Sequence, residues 1–338
     1  MADAASIHAD AIVIDGLQCC DFDRPLLEEA LRGGVTAINH AAVLWENFRG
    51  GIDRVTEWNR MFDLHADIVM PVRATADIRA AKAVGKLGII MGWQNTSPLE
   101  DRLDYVAVSK ALGIGIMQLT YNTQNFAGAG YLEENDSGLT GFGRELVAEM
   151  NRVGVLCDLS HVGEVTAADA IDHSTLPCAI THCLPRALKD VPRNKPDALF
   201  KRCAAKGGVI GVSLFAPGLA AGNDAMVADV VDAIAYMVDL VGEEHVAIGT
   251  DFSLNRPRPG PWQDWAARDK GTARMLTEFA TATIGKPKGI QRLDEIPNLT
   301  TEMHARGWTE TRIKAILGGN WLRLLDRVWH GLGTTGDL

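Results

Sequence analysis

Short apolar runs alternate with helix-period segments along most of the chain. Each run leads into a polar or reactive residue, then into a segment with a 3.6-residue apolar period, and then into another run. Most runs are apolar on both faces, as buried parallel strands are. Eight runs fit this description: AIVIDG (11–16), GVTAINH (34–40), LGIIMGWQ (87–94), GIGIMQLTY (113–121), GVLCDLSH (154–161), PCAITH (177–182), GGVIGVSL (207–214) and HVAIGTD (245–251).

Eight successive strand–helix units predict an α/β fold of the (β/α)8 TIM barrel type. An open doubly wound sheet is the alternative, but it would carry a glycine-rich phosphate loop after its first strand, and this sequence has none there. We expect a single domain over residues 1–338. It would include a long crossover with a helix at 41–86 and a helical C-terminal extension at 252–338, which begins with a proline-rich loop.

The composition narrows the range of partners. Hydrophobic residues make up 47% of the chain, enough to bury a full-sized core. With 33 Lys plus Arg against 43 Asp plus Glu, the net charge is −10, which disfavours binding to nucleic acid and to anionic membranes. No apolar run approaches the roughly 20 residues of a bilayer span. The six cysteines lack disulfide-scaffold or CxxC spacing. We therefore expect a cytoplasmic protein that acts on a small molecule.

Reactive side chains gather at the C-terminal ends of the predicted strands, where active sites of TIM barrels lie. His40, His161, His182 and Asp251 occupy corresponding positions in four of the eight runs. Imidazole and carboxylate groups are frequent metal ligands and acid–base catalysts. The pattern predicts that such groups face one another across the barrel mouth. Other polar or notable side chains at these ends are Leu17, Gln18, Cys19, Gln94, Tyr121, Asn122 and Leu214.

Several segments resemble the renal or membrane dipeptidase family of zinc hydrolases. The resemblance extends over nearly the whole chain and implies an amidohydrolase-like barrel that hydrolyses dipeptides with the help of metal. Relatives are often dimeric, so a homodimer is one expectation. The segments occur in the family's order: GIGIMQLTYN (113–122), GLTGFGRELVAEMNRVGVLCDLSH (138–161), THCLPRAL (181–188), IGTDFS (248–253) and ILGGNWLRLL (316–325).

Part of the family's metal-binding pattern is kept. Members bind two zinc ions through a His-x-Asp after the first strand, a bridging Glu after the third, histidines after the fifth and sixth, and an aspartate after the eighth. His161, His182 and Asp251 match that pattern. The resemblance then implies one divalent metal ion, zinc, on the two histidines. Asp251 corresponds to a ligand of the second ion, which is not expected here, and it is free to act as a general acid or base.

The rest of the metal-binding pattern is changed. Leu17 and Cys19 stand in place of the first His and Asp, and Gln94 stands in place of the bridging Glu. A neutral amide offsets less positive charge than a carboxylate, so two closely spaced dications are disfavoured. A zinc ion on two histidines needs further ligands, for which Gln94, His40 and Cys19 are the candidates.

Three further residues have roles that the resemblance or their position implies. Arg186 matches the family arginine that binds the substrate carboxylate, a group that guanidinium recognises through paired hydrogen bonds. Tyr121 stands where the family has a substrate-polarising histidine and can donate a hydrogen bond to an oxyanion. Asn122, its neighbour, is expected to contact the substrate.

Three functions remain open at this point. The first is a hydrolase with a mononuclear metal site that acts on a dipeptide or another small amide bearing a carboxylate. The second is an enzyme of another reaction type, such as an isomerase, a lyase or a lactam hydrolase, that uses the two histidines and Asp251 as acid–base groups without metal. The third is a non-catalytic protein that keeps the carboxylate pocket.

Overall fold

A parallel sheet rolled into a barrel forms the centre of the computed structural model, which describes residues 2–255 and 285–332. The strands in this part of the chain are β1 (Ile14–Gln18), β2 (Ala37–Val43), β3 (Val69–Pro71), β4 (Leu87–Trp93), β5 (Ile114–Gln118), β6 (Leu156–Asp158), β7 (Ala179–Cys183), β8 (Val209–Val212) and β9 (Val246–Ile248). All nine pair in parallel. Eight follow the order β1-β2-β4-β5-β6-β7-β8-β9, and β3 pairs with β4 outside this order. Gln18 and Phe252 form a bridge that joins β1 to the segment after β9. The predicted barrel of eight parallel strands is confirmed.

Helices surround the barrel and are delimited by ordinary capping residues. The Asp23 carboxylate accepts a hydrogen bond from the Leu26 amide at the start of α2, and Gly154 ends α6 in the left-handed conformation with φ 77°. The helices of the described residues are α1 (Ala4–Asp10), α2 (Arg24–Arg32), α3 (Phe48–Leu64), α4 (Thr75–Val84), α5 (Asp104–Ala111), α6 (Gly141–Val153), α7 (Glu164–His173), α8 (Asp197–Ala205), α9 (Val227–Val241), α10 (Pro297–Ala305), α11 (Glu310–Lys314) and α12 (Asn320–Trp329).

The crossover between β2 and β4 contains one element that the sequence pattern did not predict. Helix α3 lies there as expected, but β3 also forms and pairs with the first half of β4, with Val69 opposite Leu87. The strand has three residues and ends in Pro71, which cannot donate to a sheet. So short a run with a proline carries no strand signal, and its pairing is set by the neighbouring β4.

The N-terminal half of the barrel interior is apolar. Trp321 of α12 enters this layer from below, and its indole nitrogen donates to the Ile248 carbonyl oxygen over 2.9 Å. A Cβ atom at Gly16 would lie 2.7 Å from the Trp321 ring, so this strand position must be glycine. The C-terminal helix therefore closes the bottom of the barrel. The apolar cluster that contains this indole includes one residue from each of the eight strands other than β3: Ile14, Ala37, Ile90, Ile116, Leu156, Ala179, Val209 and Ala247.

The described part of the predicted C-terminal extension contains α10, α11 and α12. The proline-rich loop predicted at its start lies almost wholly outside the described residues. Within the described ranges, no helix has the length and apolar character needed to cross a membrane.

Candidate active site

Two histidines meet at the open, C-terminal end of the barrel. His161 follows β6 and His182 belongs to β7, and both side chains are buried. Their Nε2 atoms lie 2.9 Å apart. Consecutive strands of a barrel end side by side, which is why residues 21 positions apart in the chain share one site.

The second nitrogen of each ring faces a hydrogen-bond acceptor. His161 Nδ1 lies 2.6 Å from Asn122 Oδ1. His182 Nδ1 lies 2.8 Å from Thr181 Oγ1, which donates its own proton to Asp158 over 2.8 Å. Asn122, expected to contact substrate, is itself buried and orients His161.

The other side of the mouth is less polar. Gln94 Nε2 lies 3.2 Å from His182 Nε2, and the Cys19 thiol donates to Gln94 Oε1 over 3.3 Å. The amide thus turns its N–H group toward the imidazole and its oxygen toward the thiol. Leu17 packs with Cys19 and Ala41 in a small apolar cluster at the ends of β1 and β2. Apolar contacts therefore occupy the positions of the first two family ligands.

Arg193 belongs to the same cluster, although the sequence analysis did not identify it. Its Nη2 lies 3.2 Å from His161 Nε2 and donates to the His182 carbonyl oxygen over 2.8 Å. Its Nη1 donates to the Ser160 carbonyl oxygen over 2.9 Å and lies 3.5 Å from the Cys183 sulfur. The residue is 9% exposed. A guanidinium group is therefore built into the centre of the site.

Arg186, the arginine predicted to bind a substrate carboxylate, lies elsewhere in the same loop. Its side chain is partly exposed, pairs with Glu164 and donates to the Asn194 carbonyl oxygen over 2.9 Å. It lies seven positions before Arg193, and packing decides which arginine turns inward. The sequence did contain one signal, because the prolines at 192 and 196 bracket Arg193 and restrict the backbone around it.

The electrostatics of the cluster keep both imidazoles neutral. Burial lowers the pKa of His161 well below its ordinary value, and the charge of Arg193 lowers it further. The same two causes, in the same order, lower the pKa of His182. Lys195 is buried nearby with its Nζ on the Val162 carbonyl oxygen, and burial lowers its pKa to about 8. The positive charge of the mouth therefore resides on Arg193 and Lys195, and not on the rings.

Tyr121 lines the site by stacking on a histidine. Its ring lies 4.3 Å from that of His161 at 27°, and Trp45 packs edge-on against it at 4.8 Å. Burial raises the pKa of Tyr121 well above its ordinary value, and the nearby Cys19 and Asp251 add to this effect. The phenol therefore keeps its proton and can serve only as a neutral donor or acceptor near pH 7.

Asp251 follows β9 at the same end of the barrel. Its backbone amide donates to the Leu17 carbonyl oxygen over 3.0 Å, and its side chain lines a small crevice with Arg193 and Ser213. Its φ is 58°, and Asn122 has a φ of 65°. Two non-glycine residues with left-handed backbones in one site represent conformational strain that the surrounding structure holds in place.

His40, a candidate ligand from the sequence, does not reach the mouth. It lies within β2, and its ring packs 4.8 Å from that of Trp58 in α3 and 5.6 Å from that of Phe22. Side chains alternate across a strand, so the neighbour Asn39 points into the barrel and His40 points outward to the helices. The expectation that His40 completes a metal site is therefore wrong.

A metal ion of the kind that the resemblance implies does not suit these donors. Catalytic zinc sites have three protein ligands and an open position. Here two imidazole nitrogens converge, and N–H groups of Gln94 and Arg193 point at them. In the ranges 2–255 and 285–332, no three His, Cys, Asp or Glu side chains group closely enough to hold a metal ion. Among the described residues, the zinc expected on His161 and His182 thus has no third His, Cys, Asp or Glu side chain grouped with them.

Known proteins similar to this chain include curated dipeptidases. Dipeptidase aclJ of Aspergillus oryzae is 26% identical over 306 residues, which cover 88% of this chain and 66% of that protein. Dipeptidase 3 of Rattus norvegicus is 26% identical over 249 residues, which cover 72% of this chain and 45% of that protein. The chain thus spans between about half and two thirds of the length of these two relatives.

Solved structures share the fold of this chain. An amidohydrolase from Pseudomonas aeruginosa is 46% identical, with a TM-score of 0.93 and coverage of 97% of this chain and 100% of that one. A metallopeptidase from Rhodobacter sphaeroides, solved with a phosphinate mimic of L-Ala-D-Ala, shares the fold at 21% identity, with a TM-score of 0.79 and coverage of 95% and 100%. The family described as membrane dipeptidase (peptidase family M19) matches residues 26–282. This chain therefore belongs to the membrane dipeptidase family of hydrolases.

Proposed function

We propose that this chain hydrolyses a small amide that carries a carboxylate, such as a dipeptide, at the mouth of its barrel. Membership in a dipeptidase family supports the reaction class. The observation that carries the proposal is the convergence of a buried guanidinium, a neutral phenol and a carboxylate, those of Arg193, Tyr121 and Asp251, on one end of the barrel.

Each of these residues has a role that its chemistry suits. Asp251 accepts a proton from the attacking water and returns it to the leaving amine. Arg193 and the Tyr121 hydroxyl stabilise the negative charge that develops on the carbonyl oxygen, in a site with little access to water. Arg186 is partly exposed in the loop after β7, and in this proposal it exchanges Glu164 for the substrate carboxylate. These roles are assigned to side chains of this chain alone.

A panel of dipeptides, including members with D-configured C-terminal residues, tests the proposal. Asp251→Asn is expected to lower kcat by about 100-fold to 10,000-fold, the usual contribution of a general base. Cys19→Ala serves as the matched control from the same side of the mouth, and we expect it to retain turnover within about threefold, because a thiol bound to Gln94 takes no part in proton transfer. Full activity in Asp251→Asn contradicts the role of Asp251, and the absence of any hydrolysis by folded wild-type protein contradicts the proposal.

Acid–base chemistry without hydrolysis is the second candidate. The N–H groups that face both imidazoles favour it, because they leave the rings as neutral hydrogen-bond acceptors in a site without a suitable metal-binding set. An isomerase or a lyase would suit the same carboxylate and guanidinium. Product analysis by mass spectrometry separates the reactions, since hydrolysis adds the mass of one water and isomerisation adds none.

A further inference from the structure

We propose that Lys195 is a positioning residue that holds His161 in place at the barrel mouth. This lysine lies in the loop after β7, two positions beyond Arg193, and its side chain is 2% exposed. Where the inference concerns turnover, it rests on the proposed function. Its first test measures hydrogen exchange instead, so either proposal can fail while the other stands.

Two side chains of the loop after β7 contact the backbone on either side of His161. The Lys195 ammonium donates to the Val162 carbonyl oxygen, which follows the histidine. Arg193 Nη1 donates to the carbonyl oxygen of Ser160, which precedes it, over 2.9 Å. The segment that carries His161 is a turn and has no strand ladder to hold it at this point. Its position therefore depends on these contacts between loops.

The loop after β5 contacts the same turn from another side. The Tyr131 amide donates to the His161 carbonyl oxygen over 3.0 Å, and the Gly163 amide donates to the Ala129 carbonyl oxygen over 2.9 Å. Gly130 and Val162 form an antiparallel bridge between these contacts. The carbonyl groups of three consecutive residues, 160–162, thus each have a donor from a neighbouring loop. Lys195 supplies the last of the three.

The charge of Lys195 is a costly feature to bury, and fold stability does not account for it. Burial lowers the pKa of this lysine to about 8, although Cys183 and Glu164 raise it. Within residues 2–255 and 285–332, its three N–H donors have the Val162 carbonyl oxygen as their one acceptor. Replacing buried charged groups with apolar side chains of similar volume is often neutral or stabilising. The amine is therefore best explained by the position that it gives to the Val162 carbonyl group.

His161 in turn supports a group that the proposed reaction uses. The Tyr121 ring stacks on the imidazole at 4.3 Å, and Asn122 Oδ1 lies 2.6 Å from Nδ1. A shift of the histidine backbone therefore moves the phenol that is proposed to stabilise the oxyanion. A displacement of about 1 Å near the reacting atoms costs on the order of 100-fold in rate. Lys195 thus acts on turnover through His161 and Tyr121, without touching the substrate itself.

A second lysine provides the matched control. Lys110 of α5 donates to the Gly154 carbonyl oxygen over 2.7 Å, and burial lowers its pKa to about 8 as well. Its Nζ lies 5.4 Å from the centre of the Trp329 ring, in α12, which closes the bottom of the barrel. The two lysines make the same kind of contact at opposite ends of the barrel. An effect that is confined to Lys195 is therefore not a general effect of removing a buried amine.

Hydrogen exchange of the Tyr131 amide, followed by NMR, tests the positioning directly. Lys195→Met and Lys110→Met each keep an unbranched side chain and remove the amine. We expect exchange to be faster than in wild type by on the order of 10-fold in Lys195→Met, because the turn that carries the acceptor is released, and to stay within about twofold in Lys110→Met. Equal rates in wild type and Lys195→Met, or equal acceleration in both variants, would overturn the inference.

Turnover of a dipeptide that wild type hydrolyses separates positioning from binding. We expect Lys195→Met to lower kcat by on the order of 10-fold to 100-fold and to leave KM within about threefold. KM is retained because the Arg186 amide donates over 2.8 Å to the backbone carbonyl oxygen of residue 195, whichever side chain stands there. Lys110→Met is expected to keep both constants. Unchanged kcat in folded Lys195→Met contradicts the inference. If wild type hydrolyses no dipeptide, the proposed function is wrong, and hydrogen exchange still decides the role of Lys195.

A measurement on wild type decides the case in which Lys195→Met does not fold. In protein that carries isotope-labelled lysine, a buried and hydrogen-bonded ammonium exchanges its protons slowly and gives a resolved NMR signal at about pH 6, below its pKa of about 8. We expect this signal for Lys195, with a correlation across the hydrogen bond to the Val162 carbonyl carbon. If neither the signal nor the correlation is found, Lys195 does not hold this carbonyl group and the inference is wrong.

Discussion

The two halves of the barrel mouth share a scaffold but differ in their reactive side chains. At the ends of β6 and β7, the Asp158 carboxylate accepts hydrogen bonds from the Thr181 backbone amide at 2.9 Å and from its hydroxyl at 2.8 Å. Beside β1 and β9, Asp15 accepts from the Thr250 amide at 2.8 Å and from its hydroxyl at 2.6 Å. Both carboxylates are buried, and burial raises the pKa of each.

The two carboxylate–threonine contacts lie next to different side chains. The Asp158 half carries His161 and His182 directly after its hydrogen-bonded residues, whereas the Asp15 half carries Leu17 and Cys19. In both halves a carboxylate–threonine contact ties adjacent strands together. The comparison teaches that the same carboxylate–threonine contact can support different reactive side chains. The predictions below separate the two halves.

The largest expected difference is in stability at acid pH. The pKa values of His161 and His182 are lowered in the folded chain, so the unfolded chain binds protons that the folded chain does not. Stability that is fully present above about pH 6.5 is therefore lost as the pH falls toward the folded pKa values. Each ring contributes up to about 1.4 kcal/mol per pH unit in that window. Urea unfolding between pH 4.5 and 7.5 measures this loss.

The double variant His161→Gln/His182→Gln is the comparison for this slope. The carboxyl groups titrate alike in both proteins, so the difference between the two curves isolates the rings. Equal slopes of the free energy of unfolding against pH in wild type and double variant would mean that the histidines are not held neutral. Cys19→Ala, in the other half, is the control and is expected to leave the wild-type slope unchanged.

A smaller effect is expected when each carboxylate becomes an amide. Asp15→Asn and Asp158→Asn each replace one carboxylate oxygen with an NH2 group. Donors that hydrogen-bond to that oxygen in wild type lose their acceptor, which is expected to cost about 1–3 kcal/mol in the free energy of unfolding. Only Asp158 continues through Thr181 to a histidine, so Asp158→Asn is also expected to lower kcat. Denaturant titration and turnover are the two measurements. A loss of kcat in Asp15→Asn that matches the loss in Asp158→Asn would remove the distinction between the halves.

The smallest effect concerns the two threonines. Thr250→Val and Thr181→Val each remove one hydroxyl donor to a carboxylate and keep the backbone contact, which is expected to cost about 1 kcal/mol in either half. Thr181→Val additionally removes the partner of His182 Nδ1. A proton chemical shift or pH titration of His182 by NMR is expected to change in Thr181→Val and to stay constant in Thr250→Val. An unaltered His182 spectrum in both variants would show that Thr181 does not set the protonation of the ring.

The barrel was predictable because the pattern of apolar runs indicates where its strands lie. Runs that are apolar on both faces can be satisfied only between two layers, so all eight of them became paired strands of one sheet. β3 was not predictable, because three residues that end in Pro71 have no pattern of their own and pair with a strand that is already in place. The position of the Trp321 indole inside the barrel was not predictable either. The apolar residues that it packs with come from strands far from position 321 in the sequence.

The candidate site was predictable in part. Strand ends brought His161 and His182 together at the mouth, with Tyr121 stacked on the first ring. His40 was misplaced because a shift of one residue along a strand reverses the direction of a side chain. Arg193 was missed in favour of Arg186, because a loop has no periodicity that tells which of two arginines turns inward.

By itself, the order of apolar runs and helix segments determined the architecture of this protein and the end of the barrel at which its polar groups collect. The tertiary structure decided which charged group occupies the centre of that end. The reason is physical: the guanidinium of Arg193 can be buried only where acceptors surround it, and the Ser160 and His182 carbonyl oxygens come together only once β6 and β7 are side by side. A periodic pattern specifies where strands lie, and the partners of a buried charge exist only after those strands have been assembled.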